Sequence, residues 1–170
     1  MTDVRVIDNF IPREEFKDLH DVFFGAELPW YYYDFKVDEL ESDNNVLYES
    51  QMVHLFYSHM STGHYFPVVS PIISALEVAS LIKVKANMTA AWSSIERFSP
   101  HIDNSFVGAK TAVFYLNDND GYTEFVDSEQ RVESVANRIV IFPSTTRHLG
   151  TTHTNSKTRI VLNINFFDGK

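Results

Sequence analysis

The chain has 170 residues, with 23 acidic and 14 basic side chains, a formal net charge of −9 and no cysteine. This length predicts one domain, and 44% hydrophobic with 14% aromatic residues is enough for a core, which excludes a disordered chain. The lack of cysteine excludes disulfides, iron–sulfur clusters and thiolate zinc sites, and the negative charge disfavours a protein that binds phosphate backbones by charge alone.

The first 50 residues predict a strand, a helix and a long loop. Residues 4–10 are typical of a short strand, and Pro12 suits the first turn of a helix that ends at Gly25. Between these two residues, apolar side chains recur at helical spacing. Residues 29–35 are densely aromatic, and the polar, acidic segment 36–50 indicates a loop.

A second strand and a second helix are predicted next. Residues 51–58 alternate loosely between apolar and polar side chains, which favours a strand. Ser70 is then expected to cap a helix that has Pro71 in its first turn. The apolar face of this predicted helix comprises Ile72, Ile73, Leu76 and Ala79.

Neither a secretory signal nor a membrane span is predicted. The N-terminus has no cationic stretch followed by an apolar one. Prolines, serines and a glutamate interrupt the most apolar stretch, residues 66–84, so we expect it to lie on a core rather than in a membrane. A soluble, cytoplasmic protein is the resulting expectation.

From residue 82 onward, the sequence changes to short runs rich in β-branched and aromatic residues. Asn, Asp, Gly, Ser and Pro separate these runs, which is typical of an all-β sandwich or barrel. The predicted strands lie within residues 84–92, 93–98, 109–117, 122–126, 138–142 and 158–167. We therefore expect one domain over 1–170, in which 1–83 gives helical support and shapes the substrate site and 84–170 forms the core barrel.

Three residues of this second half form a pattern typical of a metal site. In an extended backbone, residues i and i+2 share a face, so His101 and Asp103 would present an imidazole and a carboxylate side by side. His148 follows a predicted strand 45 residues after Asp103, at a distance that allows neighbouring strands. Two histidines and one carboxylate on one face hold non-haem Fe(II) and leave open positions. Structural or surface roles are expected instead for His20, His54, His59 and His64.

An arginine begins the last predicted strand, and both faces of that strand are largely apolar or neutral. One face comprises Ile160, Leu162, Ile164 and Phe166, and the other comprises Arg159, Val161, Asn163 and Asn165. A strand of this kind is buried on both sides, and a buried arginine needs an anion. A ligand carboxylate, which guanidinium can pair with bidentately, is one candidate for that anion. A salt bridge to one of the 23 acidic residues is the other.

The order and spacing of these four residues resemble the Fe(II)- and 2-oxoglutarate-dependent dioxygenases, and most closely their prolyl-4-hydroxylase-like branch. The resemblance covers about residues 92–167, in the stretches SPHIDNS, TAVFYLNDN, GYTEFVD, NRIVIFPSTTRHLG and TRIVLNINFF. It implies a mainly β (α+β) fold, a double-stranded β-helix with supporting N-terminal helices. This fold is a jelly roll, or cupin-like barrel, and it agrees with the predicted order of helices first and short strands after.

The resemblance also implies roles for five residues. His101, Asp103 and His148 resemble the iron ligands and catalytic residues of the family, and Arg159 resembles the residue that binds the distal carboxylate of 2-oxoglutarate. Tyr115 on its own would be a core aromatic, but it matches a family tyrosine whose hydroxyl helps to bind that same carboxylate.

Two departures from the family pattern leave the substrate open, because both lie where access to the site is shaped. The connection before His101 is short, and Gly-Tyr replaces the usual Gly-Gly at 121–122.

The activity implied is hydroxylation of an unactivated C–H bond with Fe(II), 2-oxoglutarate and O₂, with ascorbate left open as a further cofactor. The expected substrate is a prolyl residue of a peptide or protein. The alternatives are the same chemistry on a free amino acid or other small molecule, a cupin-like metal isomerase or hydrolase, and a non-catalytic binding module. The charge of −9 disfavours a nucleic-acid partner, no membrane partner is expected, and both monomer and homodimer stay open.

Overall fold

The computed structural model describes residues 3–34 and 47–169. The greater part of the predicted loop 36–50 lies outside these residues, and its end forms a short 3₁₀ helix at Leu47–Glu49. The helices are α1 (Arg13–Phe24) and α2 (Phe66–Ala75). The strands are β1 (Arg5–Ile7), β2 (Tyr31–Tyr33), β3 (Gln51–Ser58), β4 (Ser61–Thr62), β5 (Val78–Ala90), β6 (Lys110–Tyr115), β7 (Tyr122–Phe125), β8 (Gln130–Glu133), β9 (Ile139–Pro143), β10 (His148–Gly150) and β11 (Thr158–Asp168).

The strands form two antiparallel sheets that face each other. The large sheet has the order β1-β9-β6-β11-β5-β3-β2, with β4 beside β3, and the small sheet has the order β10-β7-β8. A cluster of buried side chains from both sheets packs between them: Val113, Tyr115, Val140, Phe142 and Val161 from the large sheet, and Phe125 and Val132 from the small one. This two-layered arrangement confirms the mainly β, jelly-roll fold that the sequence predicts.

The two helices cover the other face of the large sheet. Leu19 and Phe23 of α1 and Val69 and Ile72 of α2 are buried in the same cluster as the outward-facing residues of the sheet. The first helix lies as predicted, directly after Pro12. In the described ranges 3–34 and 47–169, no helix is both long and apolar enough to cross a membrane.

The second helix begins earlier than predicted. It starts at Phe66, so Pro67 occupies the first turn and Pro71 lies inside the helix. Pro71 cannot donate an N–H to the carbonyl of Pro67, and the Ser70 hydroxyl donates to that carbonyl instead, at 2.7 Å. Ser70 therefore replaces a missing backbone bond and does not cap the helix. The helix also ends before Ala79, which belongs to β5.

The predicted strands of the second half are mostly confirmed, with two differences. Residues 93–98 do not form a strand and contribute an isolated bridge between Arg97 and Thr151. The sequence does not predict the short strands β8 (QRVE) and β10 (HLG), because neither contains a run of β-branched and aromatic residues. The two faces of β11 are as predicted. Its apolar residues join the helix-side cluster, and Arg159 and the asparagines face the space between the sheets.

Candidate metal and cosubstrate site

The backbone brings the two predicted histidine ligands together. His101 and His148 form an isolated antiparallel bridge, in which each N–H donates to the other's carbonyl at 2.9 Å. His148 lies on β10, and the segment of His101 is anchored further by the Asp103 N–H, which donates to the Ser144 carbonyl at 3.2 Å. The expectation that these two parts of the chain are neighbours is confirmed, although His101 and Asp103 lie beside a strand rather than on one.

The side chains of the triad His101, Asp103 and His148 converge. Each offers one ligand atom, and the three atoms lie within 4.8 Å of one another. The two carboxylate oxygens of Asp103 are each 3.9 Å from one Nε2 atom, Oδ1 from His101 and Oδ2 from His148. Among the residues described, no other group of three potential ligands of this kind occurs. The donor set of two imidazoles and one carboxylate, without thiolate, fits Fe(II).

Hydrogen bonds to backbone carbonyls fix the tautomer of both imidazoles. Nδ1 of His101 lies 3.2 Å from the Ser99 carbonyl, and Nδ1 of His148 lies 3.0 Å from the Thr146 carbonyl. Because a carbonyl can only accept, each Nδ1 carries the proton when the ring is neutral. Each Nε2 therefore keeps its lone pair, directed toward Asp103, as a metal ligand requires.

Burial keeps His148 in the neutral form that binds metal. Only 4% of its side-chain surface is exposed. Loss of hydration lowers the pKa of His148 below its ordinary value, and the nearby His101 acts in the same direction while Asp103 opposes it. The imidazole is therefore unprotonated at neutral pH even before a metal binds.

A buried chain of hydroxyl and amide groups orients the carboxylate. The Thr111 hydroxyl lies 2.6 Å from Oδ2 of Asp103 and 3.1 Å from the Ser144 hydroxyl. The Asn165 amide donates to the same Thr111 oxygen at 2.9 Å. Thr111 and Asn165 are register partners on β6 and β11, so the pairing of the two strands sets the position of Asp103. The alternation in β11 predicts Asn165 on this face, whereas no sequence pattern indicates Thr111.

The triad and Arg159 line one cavity of about 250 Å³. Its other walls are formed mainly by β5 and β11, through Lys83, Lys85, Asn87, Thr89, Val161, Asn163 and Asn165. Three polar atoms of these walls are buried without a hydrogen-bond partner among the described residues: Asn87 Oδ1, Thr89 Oγ1 and Asn163 Oδ1. Unsatisfied buried acceptors are costly, so the cavity is built for a polar ligand or water.

Arg159 is buried, and its guanidinium has no acidic partner among the described residues. Its residue surface is 5% exposed, and within the described parts of the chain no carboxylate lies within 4.0 Å of its nitrogens. Nε donates to the Ser134 hydroxyl at 2.9 Å, and the guanidinium carbon lies 5.8 Å from the centre of the Tyr115 ring. Burial lowers the pKa of Arg159 from its ordinary value. Of the two anions that the sequence allows, the described residues supply no salt-bridge partner, and a ligand carboxylate fits.

Tyr115 stands behind the cavity wall rather than in it. It is fully buried, and its hydroxyl donates to the Thr123 hydroxyl at 2.8 Å. Burial raises the pKa of Tyr115, so the phenol stays protonated. Thr123 does line the cavity, and because it accepts from Tyr115 it keeps its own proton to donate. No sequence pattern indicates Thr123 as a site residue.

A glycine at position 121 makes room for Arg159. A Cβ at Gly121 would lie 2.9 Å from Cδ of Arg159 and 2.9 Å from the Thr152 carbonyl oxygen, closer than real contacts allow. A Cβ at Gly150 would instead crowd the Phe98 ring, at 3.3 Å, and would lie at an ordinary contact distance of 3.9 Å from Nη1 of Arg159. The Gly-Tyr departure at 121–122 therefore keeps the glycine that the arginine needs.

The other histidines for which structural roles are expected lie outside the cavity. His54 is buried, and its Nδ1 lies 2.7 Å from the Pro29 carbonyl oxygen. His20 stacks on Phe24 within α1. His59 contacts Ser58, and His64 contacts the ring of Tyr65. None of these four belongs to the metal-ligand group.

Comparisons with known proteins agree in fold. The chain superposes on a Pseudomonas putida prolyl-4-hydroxylase with a TM-score of 0.61 and 14% identity, over 100% of this chain and 95% of the other. It superposes on a Trichoplax adhaerens prolyl hydroxylase in complex with a hypoxia inducible factor peptide fragment, with a TM-score of 0.64 and 12% identity, over 99% and 84%. The epimerase SnoN from nogalamycin biosynthesis gives a TM-score of 0.66 and 13% identity, over 98% and 78%.

Sequence comparison gives the family. No curated protein sequence matches the chain. The sequence profile of the 2OG-Fe(II) oxygenase superfamily matches residues 77–167, more than half of the 170 residues and the part that contains the triad and Arg159. The members of this superfamily use Fe(II), 2-oxoglutarate and O₂, which fits a cavity with a two-histidine, one-carboxylate triad and a buried arginine. The chain belongs to the 2OG-Fe(II) oxygenase superfamily.

Proposed function

We propose that this protein is an active oxygenase that uses Fe(II) and 2-oxoglutarate to hydroxylate an unactivated C–H bond, with a prolyl residue of a peptide or protein as its substrate. His101, Asp103 and His148 hold the metal, and Arg159 binds the distal carboxylate of 2-oxoglutarate. In this proposal residues 1–170 act as one domain. Residues 84–170 carry the site, and residues 1–83 give helical support and shape the site for substrate.

One observation carries the proposal: Arg159, buried without a carboxylate partner among the described residues, opens onto the same cavity as the triad. A metal isomerase or hydrolase of the cupin type needs the triad but has no need for a second, cationic end to the cavity. A binding module needs neither. A ligand with a metal-binding end and a distal carboxylate satisfies both features, and 2-oxoglutarate is such a ligand.

In this proposal the side chains that line the cavity bind and orient the metal and 2-oxoglutarate. When bound, Fe(II) and 2-oxoglutarate would activate O₂, which is the oxidant, so that O₂, 2-oxoglutarate and a substrate C–H would become succinate, CO₂ and a C–OH. The triad leaves open positions on the metal for the cosubstrate and O₂. Arg159 neutralises the distal carboxylate in a buried setting, where a charge-assisted pair is stronger than in water. Thr123 donates to the same carboxylate, and Tyr115 holds Thr123 in place from behind.

The prolyl substrate is supported by the likeness in fold to two prolyl hydroxylases, one of them in complex with a peptide. A second candidate substrate is a small carboxylic acid, such as a free amino acid. The observation that favours it is the pair of lysines on β5, Lys83 and Lys85, which adds positive charge to the cavity.

The decisive experiment is anaerobic incubation with Fe(II) and 2-oxoglutarate, followed by admission of O₂. We expect a weak visible absorption band when both ligands are present, and then succinate formation. Omission of either ligand should remove both signals, and addition of ascorbate tests the further cofactor. A protein that shows no band and forms no succinate contradicts the proposal.

Asp103→Ala separates the metal site from adventitious iron chemistry. This variant should lose the band and all succinate formation while it keeps the melting temperature of the metal-free protein, because one metal ligand is gone. Asp127→Ala, which changes an exposed carboxylate outside the cavity, should behave as wild type. Wild-type succinate formation by the Asp103 variant would remove this residue from the site.

A substrate is identified by its effect on turnover. Proline-containing peptides are added to the loaded enzyme, and each is examined for faster succinate formation and for a mass increase of one oxygen atom. A peptide that gives both supports the prolyl assignment. If free amino acids give both and every peptide fails, the second candidate replaces the first while the oxygenase assignment stands.

A further inference from the structure

A pair of lysines on the cavity wall is not used by the metal or by 2-oxoglutarate in the proposed function. We propose that Lys85, supported by Lys83, binds a carboxylate group of the primary substrate. This inference rests on the proposed function and specifies the class of its substrate, namely a carboxylic acid or a peptide that presents a carboxylate next to the reacting residue.

The register of the sheet separates the lysines from Arg159. Lys83 and Lys85 share one face of β5, and they are the register partners of Asn165 and Asn163 on β11. Arg159 pairs with Thr89, four residues from Lys85 along the same strand. Four residues of strand span about 13 Å between the Cα atoms, so the lysines and the arginine form two different ends of the cavity. The lysine end is the end of Asp103, whose charge acts on Lys85.

The lysines have no anionic partner in the described residues. Neither ammonium group has a carboxylate within 4.0 Å, whereas Lys17 is paired with Asp21 and Lys110 with Asp168. Lys85 is half-buried. Burial, and next the like charge of Lys83, lowers the pKa of Lys85 to about 8. A bound carboxylate would offset both effects in part, since its single negative charge attracts both ammonium groups.

The charges of the cavity leave room for one more anion. Three cationic side chains line it, Lys83, Lys85 and Arg159, against the single carboxylate of Asp103. A divalent metal and the doubly charged 2-oxoglutarate would cancel each other, and Asp103 offsets one of the three cations. The cavity then keeps two positive charges in excess, in a protein whose overall charge is −9. A locally positive cavity on an acidic protein attracts anionic ligands and concentrates them at that point.

The wall around the lysines also favours a polar substrate. Asn87 and Asn163 line the cavity, and their side-chain oxygens are buried and accept no hydrogen bond from the described residues. A substrate that brings an N–H or O–H as well as a carboxylate would satisfy them, whereas a wholly apolar molecule would leave them unpaired. Amino acids and residues of acidic peptides have both groups.

The test uses matched pairs of probes that differ only in the carboxylate. The probes are L-proline and L-prolinamide, N-acetyl-L-proline and its amide, and the peptides Ac-Asp-Pro-NH₂ and Ac-Asn-Pro-NH₂. Each is titrated calorimetrically into the protein loaded anaerobically with Fe(II) and saturating 2-oxoglutarate. We expect at least one acid to bind about tenfold or more tightly than its neutral partner, which corresponds to about 1.4 kcal/mol. The first two pairs test a free acid and the third tests an acidic side chain.

Variants assign the effect to the lysines. Lys85→Met should remove the preference for the acid, Lys83→Met should reduce it less because that side chain is exposed, and Lys85→Arg should retain it. Lys157→Met, which changes an exposed lysine outside the cavity, serves as the matched control and should bind all probes as wild type does. The affinity for 2-oxoglutarate should stay within twofold in all four variants, and circular dichroism checks that each is folded.

Three results would overturn the inference. Equal affinity for acid and neutral probe in every pair, or no acid binding below 10 mM, shows that the cavity holds no substrate carboxylate. If Lys85→Met instead weakens 2-oxoglutarate binding tenfold or more, Lys85 serves the cosubstrate. Failure of the proposed function is distinct from all three results. In that case the wild-type protein, given Fe(II), 2-oxoglutarate and O₂ without any probe, would form no succinate.

Discussion

The two faces of β11 show how one strand serves stability on one side and chemistry on the other. Toward the helices, Ile160, Leu162, Ile164 and Phe166 are buried in a continuous apolar cluster. Toward the small sheet, Arg159, Asn163 and Asn165 line the cavity. Among the described residues, Arg159 has no acidic partner and the side-chain oxygen of Asn163 accepts no hydrogen bond. Every second residue therefore stabilises the fold, and the residues between them give up stability for ligand binding.

Removal of an apolar side chain from the helix-side face should have the largest effect on stability. Leu162 has no exposed surface and belongs to the main cluster. Leu162→Ala should lower the free energy of unfolding by about 2–5 kcal/mol, because it removes buried methyl groups and leaves a cavity. Chemical denaturation of the metal-free protein measures this loss. At a temperature where the variant is folded, its affinity for 2-oxoglutarate should stay close to that of wild type, and a large loss of that affinity would show that the two faces are coupled.

Removal of the charge of Arg159, on the other face of β11, should weaken 2-oxoglutarate binding and leave stability nearly unchanged, the opposite of the result expected for Leu162→Ala. Arg159→Ala should raise the 2-oxoglutarate requirement by about 10²-fold or more, because a charge-assisted pair in a buried site is lost. Its unfolding free energy should change by less than about 1 kcal/mol, since the variant also removes the cost of a buried, unpaired cation. Succinate assays at varied 2-oxoglutarate and denaturation of the apoprotein measure the two quantities.

The exposed Arg13, on α1, supplies the matched control for this prediction. Arg13→Ala should leave both quantities unchanged. An unchanged 2-oxoglutarate requirement in the Arg159 variant, together with a large loss of stability, would mean that Arg159 is a structural residue and that the contrast between the faces is false.

The sequence predicts the contrast within β11 because alternation over ten residues is long enough to assign each face. The same alternation is present in β5, where Lys83 and Lys85 alternate with Val84 and Ala86, and it could have located the lysines. Spacing also predicts the triad, since the ligand types and the order of His101-x-Asp103 and His148 suit one metal. These features depend on residues close in sequence or on a single pairing of two segments.

Other parts of the site depend on the register of short strands, which the sequence does not reveal. Thr123 reaches the cavity because β7, four residues long, pairs with β10, three residues long. Gly121 is needed because the stem of Arg159 passes beside it, a contact that involves residues 38 positions apart. Thr111 supports Asp103 through its pairing with Asn165. None of these contacts follows from local pattern or residue type.

Thr111→Val tests the layer behind the triad, and we expect a moderate effect. The substitution keeps the shape of the side chain but removes the hydroxyl that contacts Asp103 and accepts from Asn165. Partners that orient metal ligands typically contribute 10–100-fold in metal affinity, and we expect a loss in about this range. Titration with Mn(II) or Fe(II) under anaerobic conditions measures it. Thr145→Val, at an exposed position, is the matched control, and equal affinities in the two variants would show that Asp103 needs no support.

The smallest expected effect is a pH dependence of the stability of the metal-free protein, which arises from two buried histidines, His148 and His153. Burial lowers the pKa of His148 and of His153 below the ordinary value near 6.5, and for His153 the charge of Arg159 acts in the same direction. The unfolded chain therefore binds more protons than the folded one as pH falls below about 6.5. Stability should be nearly constant above that pH and should decline below it, by at most about 1.4 kcal/mol per pH unit for each histidine.

Denaturation of the apoprotein between pH 5 and pH 8 measures this slope. The variant His153→Leu shows how much of the slope comes from His153. The variant removes one of the two groups, so the decline below pH 6.5 should become shallower while the plateau at pH 8 changes little in shape. Because bound metal also requires neutral imidazoles, the loaded protein should resist acid further until His148 is protonated and the metal leaves. A slope that is identical in wild type and variant would show that His153 does not titrate differently in the folded chain. The decline in stability below pH 6.5 would then come from the histidines of the triad alone.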